Sequence, residues 1–344
     1  MSTTTRTQDL LDQRWEVTLD DFITVTDIIG SGDRVLAGSL SGRAEILEAK
    51  TGETIAPLDG HAMGVLSGAW SPDGTSVATA GHDARLRLYR AADLAPTASV
   101  ALDGWGTTLA WSPDAALVAV GAGRTVTVVE PDGTEVARWS DLPSTITAVA
   151  WSIDGMSVGA ACYGGLRWMR PSQPDRPPKH LAWKGSLLSI DVAPDGRWVA
   201  AGCQDASTHI WRLWSGEDLQ MAGYPAKIEH LAWDPSSRYL AIGSVGDVTI
   251  WDFSGKGPQG STPTTLDGHT RHVSALAYNH DGSRLVSGDA DGNLFVWAPP
   301  KRTSPTGQIH LDSGVAAVSW SADGSSLIVG TEHGSVLALG ITRT

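Results

Sequence analysis

The sequence predicts an all-β protein: an eight-bladed β-propeller of four-stranded antiparallel blades, closed by an N-terminal strand that pairs with the last blade. Three observations predict it. A tight-turn phrase recurs at a nearly fixed interval. Each interval holds four short apolar runs with turn residues between them. The last copy is one run short, while the N-terminus has one run to spare. A fixed period in this range marks a repeat architecture, and four strands per period describe a propeller blade.

The phrase is clearest at Trp70-Ser-Pro-Asp-Gly74, Trp111-Ser-Pro-Asp114, Trp151-Ser-Ile-Asp-Gly155 and Trp320-Ser-Ala-Asp-Gly324. It stands also at Trp233-Asp-Pro-Ser-Ser237, is worn at Val192 and Tyr278, and is degenerate at Ile28. These eight anchors are spaced by 42, 41, 40, 41, 41, 45 and 42 residues. Pro presets the φ of a tight turn, and Asp-Gly suits the positions that follow. An apolar run leads into each anchor, and a second follows the turn, such as Ser76-Val-Ala-Thr-Ala80. A third run comes after a polar loop, as in Asn293-Leu-Phe-Val-Trp297, and a weaker fourth closes the unit. Such short runs between turn clusters read as strands, and no sustained helical period competes with them.

The residue before the anchor is usually small: Ala69, Ala110, Ala150, Ala232 and Ala277. Small side chains there let blades approach near the axis. The bulky anchor fills the wedge between blades, and most of the fifteen Trp are therefore expected in the core. The blades are expected at 22–58, 65–102, 107–140, 146–183, 187–222, 228–266, 273–311 and 315–341. Residues 13–19 supply the eighth blade's fourth strand, behind a disordered tail of residues 1–12. The propeller domain is thus 13–344. Seven blades is the alternative, and it requires that the Ile28 copy form no blade.

With the turns placed, the chain resembles the WD-repeat (WD40) propellers. That resemblance implies a buried hydrogen-bonded set: a His entering the blade, a Ser or Thr on the second strand, an Asp before the third strand and a Trp on it. The Tyr278 repeat supplies His269, Ser287, Asp291 and Trp297. The Trp70 repeat supplies His61, Thr79 and Asp83, with Tyr89 for the Trp. In the Val192 repeat Trp183 stands where the His belongs. The stretch Gly216-Glu-Asp-Leu-Gln-Met-Ala-Gly-Tyr-Pro225 is also similar to single-domain bacterial WD-repeat proteins. Some of those accompany metal-handling GTPases, which implies such a partner here.

The net charge of −13 disfavours a nucleic-acid backbone or an anionic membrane surface as partner. The first ten residues have no signal-peptide core, no apolar run is long enough to span a membrane, and there are two cysteines, so a reducing cytoplasm is the expected place. No Gly-Lys-Ser/Thr phosphate loop occurs, and the Ser of each turn phrase belongs to the repeat. The ten His do not cluster at ligand spacing, so no metal, cofactor or catalytic residue is expected. Cys162 and Cys203 occupy matching positions in adjacent blades, as small buried thiols or as the lining of a small site. Asp27 and Asp191 replace the small residue before the anchor and must find hydrogen-bond partners.

The expected function is a non-enzymatic scaffold presenting a loop face to a partner protein; the alternative is an enzyme or a small-ligand or metal binder using the central channel. Loops on one face carry Trp105, Tyr163, Trp183, Lys184, Tyr224, Lys227, Arg271 and His272. Trp, Tyr and Arg dominate binding energy at protein interfaces, so these are the expected contacts. Three Pro- or Gly-rich loops, 171–178, 254–263 and 298–305, emerge on the opposite face as tolerated insertions.

Overall fold

The computed structural model describes residues 9–255 and 257–343. All its regular structure is β-strand, paired antiparallel throughout. Among the described residues the strands form six hydrogen-bonded sheets, two of which each join two successive units through a shared strand. The first unit is Ile23–Ile28, Arg34–Ser39, Ala44–Glu48 and Thr54–Pro57; the second is Val65–Trp70, Ser76–Gly81, Arg85–Arg90 and Pro96–Ala101. The third runs from Gly106–Trp111 to Glu135–Trp139. The fourth and fifth share one sheet because Lys179–Val192 is continuous. It pairs with Val158–Met169 through its first half and with Trp198–Cys203 through its second. Thr264–Tyr278 joins the sixth and seventh units in the same way.

The last unit is Val315–Trp320, Ser326–Thr331 and Ser335–Arg343, and its fourth strand comes from the other end of the chain. Asp9–Thr18 pairs with Ser335–Arg343, from Asp9 opposite Arg343 to Thr18 opposite Ser335. This strand starts earlier than the alternating run at 13–19 indicates. Residues 9–12, expected in a disordered tail, are paired because Ser335–Arg343 is long enough to receive them and Leu11 finds an apolar surface there. The rest of the expected tail, residues 1–8, lies outside the described residues, as does Lys256 in the loop 254–263.

The first strand of each unit packs on the first strand of the next, and Val315–Trp320 packs on Ile23–Ile28. The core is therefore a series of apolar clusters between units. One joins Leu36 and Ile46 of the first unit to Trp70, Val77 and Tyr89 of the second. Another joins Ile23, Val35 and Leu47 to Ile328, Val336 and Trp15. The anchors Trp70, Trp111, Trp151, Trp233 and Trp320 are all buried.

The small residue before the anchor has a second use. The indole of Trp111 donates to the Ala69 carbonyl at 3.1 Å, Trp151 to Ala110 at 2.9 Å, and Trp320 to Ala277 at 3.0 Å. Each bond crosses from one unit to its predecessor, so the repeat ties units together as well as folding them. In the turn itself Ser71 donates to Asp73 at 2.6 Å, and Ser112, Ser152 and Ser321 repeat the pattern with Asp114, Asp154 and Asp323. These hydroxyls are committed to the turn. The fifth residue of the phrase has φ near +65°, which Gly adopts without cost; Ala115 and Ser237 take φ 61° in the two copies that lack Gly.

Candidate interaction face

Two buried hydrogen-bonded sets, around His269 and His61, hold the loops that enter their units. His269 is fully enclosed, and burial lowers its pKa, with Asp289 working the other way. A neutral imidazole then has one donor and one acceptor. Nδ1–H donates to Asp289 at 3.0 Å, and Nε2 accepts from the Ser287 hydroxyl at 2.7 Å. Ser287 in turn accepts from the Trp297 indole at 2.8 Å. The side-chain donors and acceptors of this set thus pair in one direction, from Trp297 through Ser287 and His269 to Asp289.

The acid in this set is Asp289, and Asp291 is the residue expected from spacing. Asp289 ends the second strand with its side chain fully buried. It also accepts from the backbone N–H groups of Thr270, Asp291 and Asn293. Asp291 points outward to Thr270 Oγ1 and Arg271. In the second unit Gly81 holds the position matching Asp289, so the acid comes from two residues later: His61 reaches Asp83 at 2.7 Å and Thr79 at 3.0 Å. Arg87 pairs with Asp83 at 2.8 Å. Tyr89 is buried and donates to the Asp59 carbonyl, fastening the loop that leads to His61.

The expected contact residues divide into two groups. Trp105 and Tyr163 stand 58% and 57% exposed. Lys184, Lys227 and Arg271 are exposed too, with Lys227 paired to Glu229 and Arg271 to Asp291. Trp183 and Tyr224 turn inward. The Trp183 ring lies 4.0 Å from the His209 ring and packs into the cluster shared by the fourth and fifth units. The Tyr224 hydroxyl meets Thr249 Oγ1 and accepts from the Trp251 indole. The ring at the His position packs against this cluster and His209, which is why Trp183 is half-buried and not a free contact. His272 is half-buried, its Nε2 3.2 Å from the Lys227 carbonyl.

Met63, not expected from the sequence, joins the exposed group at 79%. Its φ is 69°. Its carbonyl is bonded by the His82 ring, which meets the Trp105 ring edge-on at 4.7 Å. Met63, His82 and Trp105 thus form one small surface cluster on the second and third units. A Met followed by Gly64 in a short loop gave no pattern to read.

Cys162 and Cys203 are buried and free, in different clusters. Burial pushes the Cys203 thiol up to about 11, a poor state for a nucleophile or metal ligand. Among the described residues no group of three His, Cys, Asp or Glu could hold a metal ion. No helix among them is long and apolar enough to cross a membrane.

Asp27 and Asp191 each accept a backbone N–H from the next unit's anchor, Trp70 and Trp233, both at 2.8 Å. Crowding by protein raises Asp27 to about 6 and Asp191 to about 7. Both residues keep some solvent exposure as whole residues, which discounts the full effect to about 1–2 kcal/mol each. An acid with a raised folded pKa loses stability as pH rises from its unfolded value, near 3.8, through its folded one. The variant D27N/D191N is therefore expected to gain on the wild type as pH rises from 4 to 7.5. Melting curves across that range check it; a constant difference contradicts it.

A family model, WD domain, G-beta repeat, matches residues 52–90, 177–212 and 260–298. Each stretch takes the last strand of one unit and the first three of the next. These three stretches match the WD40 repeat. It is 24% identical over 292 residues to the guanine nucleotide-binding protein subunit beta of Oryza sativa subsp. indica, covering 77% of each chain. It is 27% identical over 184 residues to WD repeat-containing protein 1 of Xenopus tropicalis, but those residues are 40% of this chain and 30% of that one. It is 30% identical over 116 residues to the small ribosomal subunit protein RACK1y of Oryza sativa subsp. japonica, 33% of this chain and 34% of that one. The crystal structure of the computationally designed Ika8 protein superposes with a TM-score of 0.79, covering 94% of this chain and 97% of that chain at 18% identity. That likeness establishes the fold.

Proposed function

We propose that this chain is a closed, eight-bladed, non-enzymatic scaffold that binds a partner protein. The observation that carries the reading is the surface left over once the buried sets are accounted for. Met63 and Trp105 stand on loops entering the second and third units, Tyr163 stands on the strand Val158–Met169, and all three side chains are mostly exposed. Large exposed apolar side chains on a rigid frame are suited to a protein contact. The packing of Val315–Trp320 on Ile23–Ile28 supports closure with eight blades over seven. The names of the relatives above, a subunit beta and a ribosomal subunit protein, denote members of assemblies. The two free cysteines support a cytoplasmic setting. A finer reading, an accessory or assembly factor for a partner enzyme or a metal-handling GTPase, rests on the resemblance at residues 216–225.

The test is capture of a partner from the native source. Trp105→Ala and Tyr163→Ala are each expected to weaken capture by more than about 1 kcal/mol, with melting curves within a degree or two of the wild type. Trp183→Ala and Tyr224→Ala are expected to lower the melting temperature instead, because both side chains are packed inside. Unchanged capture by the Trp105/Tyr163 double variant rules out this face.

A further inference from the structure

The chain carries 38 acidic residues against 25 Lys and Arg, yet its sign reverses over one stretch. Between Arg167 and Lys184 it holds Arg167, Arg170, Arg176, Lys179 and Lys184 against Asp175 alone. Arg170, Arg176 and Lys179 line a single cleft of about 210 Å³ at the edge of the fourth and fifth units, with Pro177 and Trp214 as walls. Among the described residues none of the three is in an ion pair. Lys179 donates to the Leu213 carbonyl at 2.8 Å and lies 5.1 Å from the Trp214 ring centre. Arg176 reaches Gln173 Oε1 at 3.4 Å. The charge of Arg170 bears on Asp154, which is already engaged by the Ser152 hydroxyl and the Met156 N–H.

The cleft is preformed. The Trp139 indole donates to the Pro174 carbonyl at 3.0 Å, and Pro171 is buried, so the loop 171–178 is held and is more than a tolerated insertion. Its rim is apolar as well as cationic. Trp214 is 56% exposed, and Met156 and Ile153, on the turn leading to the cleft residue Ser157, are 56% and 54% exposed.

Guanidinium groups bind carboxylates through paired N–H donors. The volume is below the roughly 300–1,000 Å³ of a pocket that encloses a whole small ligand. It suits acidic side chains entering from a chain that crosses the rim. We propose that this edge docks an acidic peptide segment of a partner protein, its carboxylates on Arg170, Arg176 and Lys179 and its alternating apolar side chains on Trp214, Met156 and Ile153. The proposal rests on the scaffold reading, and it places a second contact away from Trp105.

The experiment is fluorescence anisotropy on the full chain with a dye-labelled synthetic peptide alternating glutamate with leucine. Saturable binding that weakens as salt is raised is expected. R170E/R176E is expected to weaken it by about tenfold or more, a loss of about 1.4 kcal/mol. Trp214→Ala weakens it too, while R90E, a charge reversal elsewhere on the surface, leaves it unchanged. All four side chains are exposed, and melting curves confirm that the variants fold. Equal binding of a glutamine-for-glutamate peptide, or insensitivity to R170E/R176E, overturns the proposal. So does a cleft that takes inorganic phosphate or ATP but not the peptide. Because the peptide is synthetic, its failure beside an intact Trp105-dependent capture refutes this site and leaves the scaffold standing.

Discussion

Deleting residues 1–19 is expected to abolish a single cooperative melt, whereas deleting 1–8 leaves the melt in place. The longer deletion removes Asp9–Thr18, the fourth strand of the last unit, and exposes the whole edge of Ser335–Arg343. It also removes Trp15, which is 8% exposed, and Leu19, which is 1% exposed, from the cluster between the last unit and the first. The Trp15 indole donates to the Ala49 carbonyl at 2.9 Å, so one side chain fastens the last unit to the first. Loss of a buried Trp alone costs roughly 3–5 kcal/mol. A domain has only about 5–15 kcal/mol in all, and an unpaired flat edge invites aggregation. Differential scanning calorimetry with light scattering decides it; equal melting temperatures for the two truncations refute closure through the N-terminus.

Asp289→Ala is expected to destabilise by roughly 3–5 kcal/mol, and Asp291→Ala by about 1 kcal/mol or less. Asp289 takes hydrogen bonds from the His269 ring, three backbone N–H groups and the Asn293 side chain. Burial works against its charge, yet the bonds from Asn293 and His269 hold its pKa below the usual carboxylate range. Removing it leaves those donors enclosed without partners. Asp291 is exposed and its bonds to Thr270 and Arg271 compete with water. Urea unfolding of the two variants measures the difference; a larger loss at Asp291 contradicts the geometry.

The two acids show what the sequence could and could not reveal. The period, the turn phrase and the orphan N-terminal run were all legible, because strand number and turn chemistry repeat along the chain. Spacing alone placed the set's acid at 291, matching Asp83. Which of two acids two residues apart faces the His depends on where the second strand ends, and that is a three-dimensional fact. The same holds for the loop aromatics. Nothing local separates Trp105, which projects, from Trp183, which stands at the His position and packs against His209. Tyr224 reads as a surface Tyr until Trp251 and Thr249 are seen to enclose its hydroxyl. Leu11 extends the closing strand beyond its alternating run because its partner strand is long.

The most direct measurement for the scaffold is stoichiometric co-purification from the native source, quantified by mass spectrometry beside a thermal-shift screen of metals and metabolites. One protein is expected to be retained near equimolar ratio by the wild type and by Asp291→Ala, and lost on combining Trp105→Ala with Tyr163→Ala. No retained protein, together with a large stabilisation by a metal or metabolite, contradicts it.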